Sequence, residues 1–137
     1  MNVYDFIKIH EGLRLKPYLC TAGKTTIGWG RNLDDNGISE EEASTMLAND
    51  VEMCVRELQR NYSGYAILDE VRQAVLIDMV FNLGWPRLSQ FKKMFAALDA
   101  QDYIHASREM LNSRWADQVG MRAKRLADMM RTGDWYV

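Results

Sequence analysis

Residues 10–30 read HEGLRLKPYLCTAGKTTIGWG, and this stretch carries most of the fold and function signal in the 137-residue chain. Pro17 disfavours a helix, so residues 15–19 are predicted to be extended. Residues 21–24 have the composition of a turn, and residues 25–30 combine β-branched, aromatic and glycine residues that favour a strand. The stretch therefore predicts a small β-hairpin close to the N-terminus.

Two capping patterns predict the helices on either side of this hairpin. Asn2 and Asp5 have the spacing of a capping box for a helix that ends near Gly12. We expect its apolar face to consist of Val3, Phe6, Ile7 and Ile9. Ser39 and Glu42 repeat the pattern ahead of a long helix that ends within residues 61–64.

The remainder of the chain predicts further helices, over residues 71–83, 88–98, 102–111 and 121–133. Residues 71–83 are almost continuously apolar and are predicted to form the buried central helix. The fold class is thus α+β and mainly helical. We expect a small N-terminal β-hairpin lobe at about residues 12–60, a long connecting helix, and a helical lobe at about residues 61–137 that includes the N-terminal helix. A cleft between two such lobes is a common ligand site.

Composition excludes several classes of protein. Apolar residues make up 47% and charged residues 26%, as in ordinary globular domains. No apolar run approaches the ~20 residues needed to cross a bilayer. The two cysteines, Cys20 and Cys54, are too few for a disulfide framework and lack zinc-site spacing, so we predict no metal and no cofactor.

Charge is distributed unevenly along the chain. Residues 32–57 contain eight acidic side chains and one basic one, whereas residues 105–131 contain six basic and three acidic side chains. A basic face attracts anionic polymers. A solvated helix surface is the simpler interpretation, and the absence of a larger basic stripe argues against a nucleic-acid-binding domain.

Glu11 is the candidate general acid. Glycoside hydrolysis requires a protonated acid at the leaving oxygen and a second group that activates water or attacks the sugar. Glu11 lies between the predicted helix and hairpin, and we expect nearby apolar residues to shield it from water. These are Phe6, Ile7, Leu13 and Trp29. A lone glutamate in this position would more simply be an exposed helix-end residue.

The spacing of Glu11, Cys20 and Thr26 makes the functional interpretation specific. Eight residues separate the first pair and five separate the second. With its flanks, this pattern resembles the phage-type lysozymes, whose signature is Glu, eight residues, Asp or Cys, five residues and Thr. Later blocks also resemble that family, at residues 74–84, 113–115, 122–125 and 131–135. The resemblance covers about residues 1–33 and 67–137 and implies a single lysozyme domain over residues 1–137.

The resemblance implies an endolysin or lysozyme that hydrolyses the β-1,4 bond between N-acetylmuramic acid and N-acetylglucosamine in bacterial peptidoglycan. Glu11 would be the general acid, Cys20 would assist attack on the opposite face, and Thr26 would position the water. The implied substrate contacts are Asn32, Phe81 and Glu109, with Arg31 and Arg122 in support. Three of these depart from the usual pattern. Arg31 and Asn32 stand where the family more often has His and Leu, and Glu109 stands where Asn contacts sugar.

Cys20 leaves several roles open. An ordinary thiol has a pKa of ~8.5 and is mostly protonated at neutral pH. Cys20 can act as a base on water, which gives inversion, as a thiolate nucleophile, which gives retention, or only as a polar group beside Thr26. We favour the base. Without the family spacing, a small apolar cysteine would be the better interpretation, and a designed replacement of aspartate is a further one. Cys54 is interpreted as a core residue, and a Cys20–Cys54 disulfide is not expected.

The predicted partner is bacterial peptidoglycan. We expect a monomer that binds no nucleic acid and does not insert into a membrane. The chain would remain in the cytoplasm of the host cell that makes it, and would act on the wall after release by a separate holin. The alternative functions are a weak or inactive peptidoglycan-binding protein on the same fold and an enzyme that forms an anhydro sugar.

Overall fold

The computed structural model describes residues 1–136 and confirms the α+β, mainly helical class. The structure divides into two compact units, Met1–Leu47 and Ala48–Val137. The first contains a three-stranded antiparallel sheet and the second is helical. Within residues 1–136, no helix is both long enough and apolar enough to span a bilayer. The grouping of both lobes into a single domain over residues 1–137 stays a prediction.

The first helix, α1 (Val3–Glu11), begins as the sequence predicts. The backbone N–H of Asp5 donates to the Asn2 side chain at 3.0 Å, and the N–H of Asn2 donates back to the Asp5 carboxylate at 3.3 Å. The helix ends at Gly12. Its expected apolar face is not buried, because its four members are each at least 47% exposed.

The sheet contains β1 (Arg14–Leu19), β2 (Thr25–Gly28) and β3 (Arg31–Asn32) in that order. The predicted hairpin is β1–β2. The sequence did not indicate the third strand, which forms because Gly28 and Gly30 adopt positive φ angles of 71° and 84° and reverse the chain. A short helix, α2 (Leu33–Asn36), follows where only turns were expected.

The long helix α3 (Glu40–Asn61) runs from the first unit into the second. Its predicted capping box is present: the backbone N–H of Ser39 donates to the Glu42 carboxylate at 2.8 Å, and that of Glu42 donates to the Ser39 hydroxyl at 3.1 Å. Among the apolar residues of α3, Leu58 alone is fully buried.

The second unit is built around α4 (Glu70–Leu83), the predicted central helix, which buries five apolar side chains. A 3₁₀ turn (Ser63–Ile67) precedes it. The helices that follow are α5 (Trp85–Leu88), α6 (Lys92–Asp99), α7 (Tyr103–Leu111), α8 (Arg114–Val119) and α9 (Met121–Thr132). The prediction of one helix over residues 88–98 was wrong. The chain breaks at residues 89–91, where the Ser89 hydroxyl donates to the Pro86 carbonyl at 2.7 Å. Helix α8, capped by Ser113, was not predicted.

Arg72 joins the central helix to the end of α9. Its Nε donates to the carbonyl of Met130 at 2.7 Å, and Nη2 donates to the carbonyl of Arg131 at 3.2 Å. Its guanidinium lies 3.6 Å from the ring centroid of Tyr103. The side chain is only 13% exposed. It therefore satisfies helix-end carbonyls that α9 cannot satisfy internally.

We predict that Arg72→Ala lowers the free energy of unfolding by about 2–3 kcal/mol, because it removes charge-assisted hydrogen bonds and a stacked cation. Arg131→Ala is the matched control, since that side chain is half exposed and its contact with Asp128 measures 3.5 Å. The control should change stability by less than about 0.5 kcal/mol. Urea denaturation monitored by circular dichroism measures both, and equal losses would contradict this account of Arg72.

Candidate functional site

Cys20 and Thr26 lie together at the β1–β2 turn. The N–H of Cys20 donates to the carbonyl of Lys24 at 3.0 Å, and the N–H of Gly23 donates to the carbonyl of Cys20 at 2.8 Å. Thr26 faces the same turn, and its hydroxyl donates to the Lys24 carbonyl at 2.8 Å. Thr26 is 3% exposed, although it is a polar residue on a small sheet. The turn therefore fixes both side chains against one short loop.

The same turn favours the thiolate form of Cys20. The amide of Lys24 makes the largest contribution to lowering the pKa of Cys20, followed by the amide of Ala22. Partial burial opposes this effect. Hydrogen-bond donors directed at a sulfur stabilise its charged form. The pKa of Cys20 is therefore below that of an ordinary thiol.

Glu11 is the last residue of α1, and its carboxylate lies against the backbone of Gly30. A Cβ at position 30 would stand 2.7 Å from Glu11 Oε2, so no other side chain fits there without displacing the carboxylate. The expected shielding is not seen, because Glu11 is exposed and its apolar neighbours are exposed as well. Phe6 packs edge-on against His10, with ring centroids 5.0 Å apart.

Beyond Gly30, the first unit contains a cavity of about 840 Å³. Gly30, Arg31 and Asn32 all line it, so the glycine that contacts Glu11 also borders this space. The other lining residues come from β2, the β2–β3 turn, α2, the loop after α2 and the start of α3: Ile27, Gly28, Trp29, Asn36, Ile38, Glu41, Glu42, Thr45 and Met46. The predicted substrate contact Asn32 and the predicted supporting residue Arg31 thus line one cavity.

Arg31 and Asn32 both form hydrogen bonds to other groups of the protein. Arg31 forms a two-pronged ion pair with Glu42, at 2.8 and 2.6 Å, and also donates to the carbonyl of Gly37 at 3.0 Å. This guanidinium and the N–H of Ser39 lower the pKa of Glu42 to about 2. Asn32 caps α2 by accepting from the N–H of Asp35 at 3.0 Å. Arg31 therefore has a structural role that the sequence did not indicate.

The remaining predicted residues lie on three helices of the second unit. Phe81 is on α4 and is 46% exposed. Glu109 is on α7, 3.3 Å from the Nε2 of His105, and lines a separate cavity of about 320 Å³. Arg122 is on α9 and pairs with Asp78 at 2.8 Å. Their roles in substrate binding stay predictions.

The two cysteines occupy different environments and both are free thiols. Cys54 is partly buried against the core of the second unit, in agreement with its predicted packing role. Burial, together with the charges of Glu57 and Asp50, raises the pKa of Cys54. Among residues 1–136, no group of three or more histidine, cysteine or acidic side chains is arranged to hold a metal ion.

We predict that iodoacetamide at neutral pH modifies Cys20 before Cys54, because amide donors favour the thiolate at Cys20 whereas burial disfavours it at Cys54. Peptide mass spectrometry over a time course measures both rates in the folded protein. In urea, the two cysteines should be modified at equal rates, which is the control for the effect of the fold. Faster modification of Cys54 in the folded protein would contradict the described environment of the turn.

Comparison with known proteins places this geometry in a family. Residues 8–131 match the phage lysozyme family. The chain is 27% identical over 161 residues to "Probable T4-type lysozyme 2" of Dictyostelium discoideum, covering 96% of this chain and 95% of that protein. It is 31% identical over 120 residues to an "Endolysin" of Acyrthosiphon pisum secondary endosymbiont phage 1, covering 85% of this chain and 80% of that one.

A third relative is much longer than this chain. "Pre-baseplate central spike protein Gp5" of Enterobacteria phage T4 is 28% identical over 166 residues, which cover 98% of this chain but 28% of the spike protein. The family match extends over nearly all of the chain and includes Glu11, Cys20 and Thr26. The chain belongs to the phage lysozyme family, and its function is lysozyme-like.

Proposed function

We propose that the chain is a muramidase that hydrolyses the β-1,4 bond between N-acetylmuramic acid and N-acetylglucosamine in bacterial peptidoglycan. Glu11 is the general acid, and Cys20 and Thr26 assist the attack of water. The observation that carries this proposal is the hydrogen-bonded turn, which joins the Thr26 hydroxyl and the Cys20 thiol through the backbone of Lys24.

The proposed reaction balances with these three side chains. The carboxylic acid of Glu11 gives its proton to the glycosidic oxygen as the bond to the anomeric carbon breaks. Water attacks that carbon from the opposite face and gives its proton to the Cys20 thiolate. Cys20 then holds a proton as a thiol, and Glu11 holds a negative charge. Exchange of protons with solvent restores both groups.

Thr26 is suited to hold the water. Its single hydroxyl hydrogen is directed to the Lys24 carbonyl at 2.8 Å, which leaves the oxygen lone pairs as acceptors. A water that donates one hydrogen to Thr26 can donate the other to the adjacent sulfur. Burial of Thr26 fixes the position of this oxygen, so the orientation of the water is set before substrate binds.

The proposed contacts to the sugar chain are Asn32, Phe81 and Glu109. Asn32 lines the cavity beside Gly30, with Arg31 held by Glu42 behind it. Phe81 and Glu109 present exposed or partly exposed side chains on the second unit. Arg122 supports the site, and peptidoglycan is the substrate that fits this assignment. We also propose a monomer that reaches the wall only after release by a separate holin.

We predict that Glu11→Gln abolishes the release of reducing ends from purified peptidoglycan, because the amide cannot donate the required proton. Cys20→Ala should lower the rate by about 10²-fold or more, as expected for loss of a positioned base. Cys54→Ala is the matched control and should retain the activity of the unmodified chain.

Other outcomes of the reducing-end assay would contradict parts of the proposal. Full activity in Cys20→Ala would contradict the role of the thiol and leave Thr26 to hold the water without a base. Wall binding without hydrolysis in the unmodified chain would identify a binding protein on this fold. Anhydro sugar products would identify the enzyme variant that does not use water.

The pH dependence tests the base role separately. If the thiolate is the base and Glu11 is the acid, kcat/KM needs Cys20 deprotonated and Glu11 protonated, so its pH profile is bell-shaped and depends on both groups. The turn amides lower the pKa of Cys20. We predict that Cys20→Asp moves the profile to a lower pH, because a free carboxyl has a pKa of ~3.9 and a free thiol one of ~8.5. Measurements between pH 4 and 9 on both proteins test this. An unchanged profile would exclude residue 20 as the base.

A further inference from the structure

A backbone amide at the edge of the proposed catalytic turn is paired with a side chain and not with a neighbouring strand. Strand β3 ends at Asn32, which is paired with Thr26. The N–H of Thr25 is therefore beyond the end of the β2–β3 ladder. The Asp34 carboxylate accepts this N–H at 2.7 Å. A side chain of α2 thus supplies the acceptor that a longer third strand would have supplied.

Thr25 is the residue that joins the two parts of the proposed site. The Thr25 N–H and the Lys24 carbonyl belong to the same peptide bond. That carbonyl accepts both the Cys20 N–H at 3.0 Å and the Thr26 hydroxyl at 2.8 Å. A hydrogen bond to the Thr25 N–H holds this same peptide plane. Movement of that plane would displace the shared acceptor of the Cys20 N–H and the Thr26 hydroxyl, and would disturb the adjacent Lys24 amide beside the sulfur.

We infer that Asp34 is a positioning residue for the Cys20–Thr26 pair: by holding the Thr25 amide, it fixes the peptide plane whose carbonyl accepts both the Cys20 N–H and the Thr26 hydroxyl. This role rests on the proposed function of that pair. Asp34 acts through the backbone and needs no contact with substrate. Its hydrogen bond is charge-assisted and short, as expected for an interaction that fixes geometry.

Asp35 offers a matched comparison on the same helix. Its carboxylate pairs with the Lys24 ammonium at 3.2 Å and with the Asn32 amide at 2.9 Å. Both Asp35 and Lys24 side chains are about half exposed, at 54% and 44%. Exposed pairs of this kind contribute little. Asp35 thus carries the same charge as Asp34 in the same segment without holding the Thr25 amide.

The test measures the rate at which iodoacetamide modifies Cys20 in the folded protein, without any wall substrate. Asp34→Ala should slow modification by about fivefold or more, the effect of one lost hydrogen bond on the turn. Asp34→Asn should remain within about twofold of the unmodified chain, because the side-chain carbonyl can still accept the Thr25 N–H. Asp35→Ala should also remain close to the unmodified chain. Circular dichroism would verify that each variant is folded.

Three outcomes would overturn the inference. An unchanged modification rate in Asp34→Ala would show that the turn keeps its geometry without the hydrogen bond from Thr25 to Asp34. An equally slow Asp34→Asn would show that accepting the Thr25 N–H is not the cause of the effect, and an equally slow Asp35→Ala would show a general effect of α2. If Asp34→Ala fails to fold, hydrogen exchange of the Thr25 amide in the unmodified chain gives the answer. Protection is expected, and exchange at the rate of a free amide would contradict the inference. Failure of the proposed function would instead appear as peptidoglycan hydrolysis that survives Glu11→Gln. The rates of Cys20 modification are measured without substrate and do not depend on that result.

Discussion

The carbonyl and amide of Lys24 supply the interactions on which the proposed chemistry depends. The carbonyl accepts the Cys20 N–H and the Thr26 hydroxyl, and the amide favours the thiolate of Cys20. A single loop residue thereby holds the Thr26 hydroxyl and makes the largest contribution to lowering the pKa of Cys20. A thiol is otherwise a poor base at neutral pH, because it is mostly protonated. The turn partly offsets that disadvantage by stabilising the charged form.

The acidic segment of residues 32–57 has a local structural purpose that its charge alone does not reveal. Asp34 accepts the Thr25 N–H at the β1–β2 turn, and Glu42 both caps α3 and binds the Arg31 guanidinium. Asp34 thus replaces a contact that a longer third strand would make through its backbone. The proposed acid, Glu11, depends instead on the absence of a side chain at Gly30. The first unit therefore positions its three proposed catalytic groups through helix caps, a glycine and one hairpin turn.

Local signals allowed much of the fold to be predicted from sequence. Both capping boxes, the β1–β2 hairpin and the central helix follow from short-range patterns, and each is present. The third strand and α8 were missed because they depend on a chain reversal and a single cap within short segments. The spacing of Glu11, Cys20 and Thr26 identified the candidate site, but no periodic pattern indicated that Asp34 would accept the Thr25 amide. That contact joins residues nine positions apart, and it follows only once β3 is known to stop at Asn32.

The anomeric configuration of the first product tests most directly whether water, activated at the Cys20–Thr26 turn, attacks opposite Glu11. Proton NMR of peptidoglycan fragments during digestion distinguishes the two anomers before they equilibrate. Direct attack of water on a β-1,4 bond predicts that new reducing ends of N-acetylmuramic acid appear first as the α anomer. Initial appearance of the β anomer would instead require two displacements through a covalent intermediate, and would contradict the assignment of Cys20 as a base.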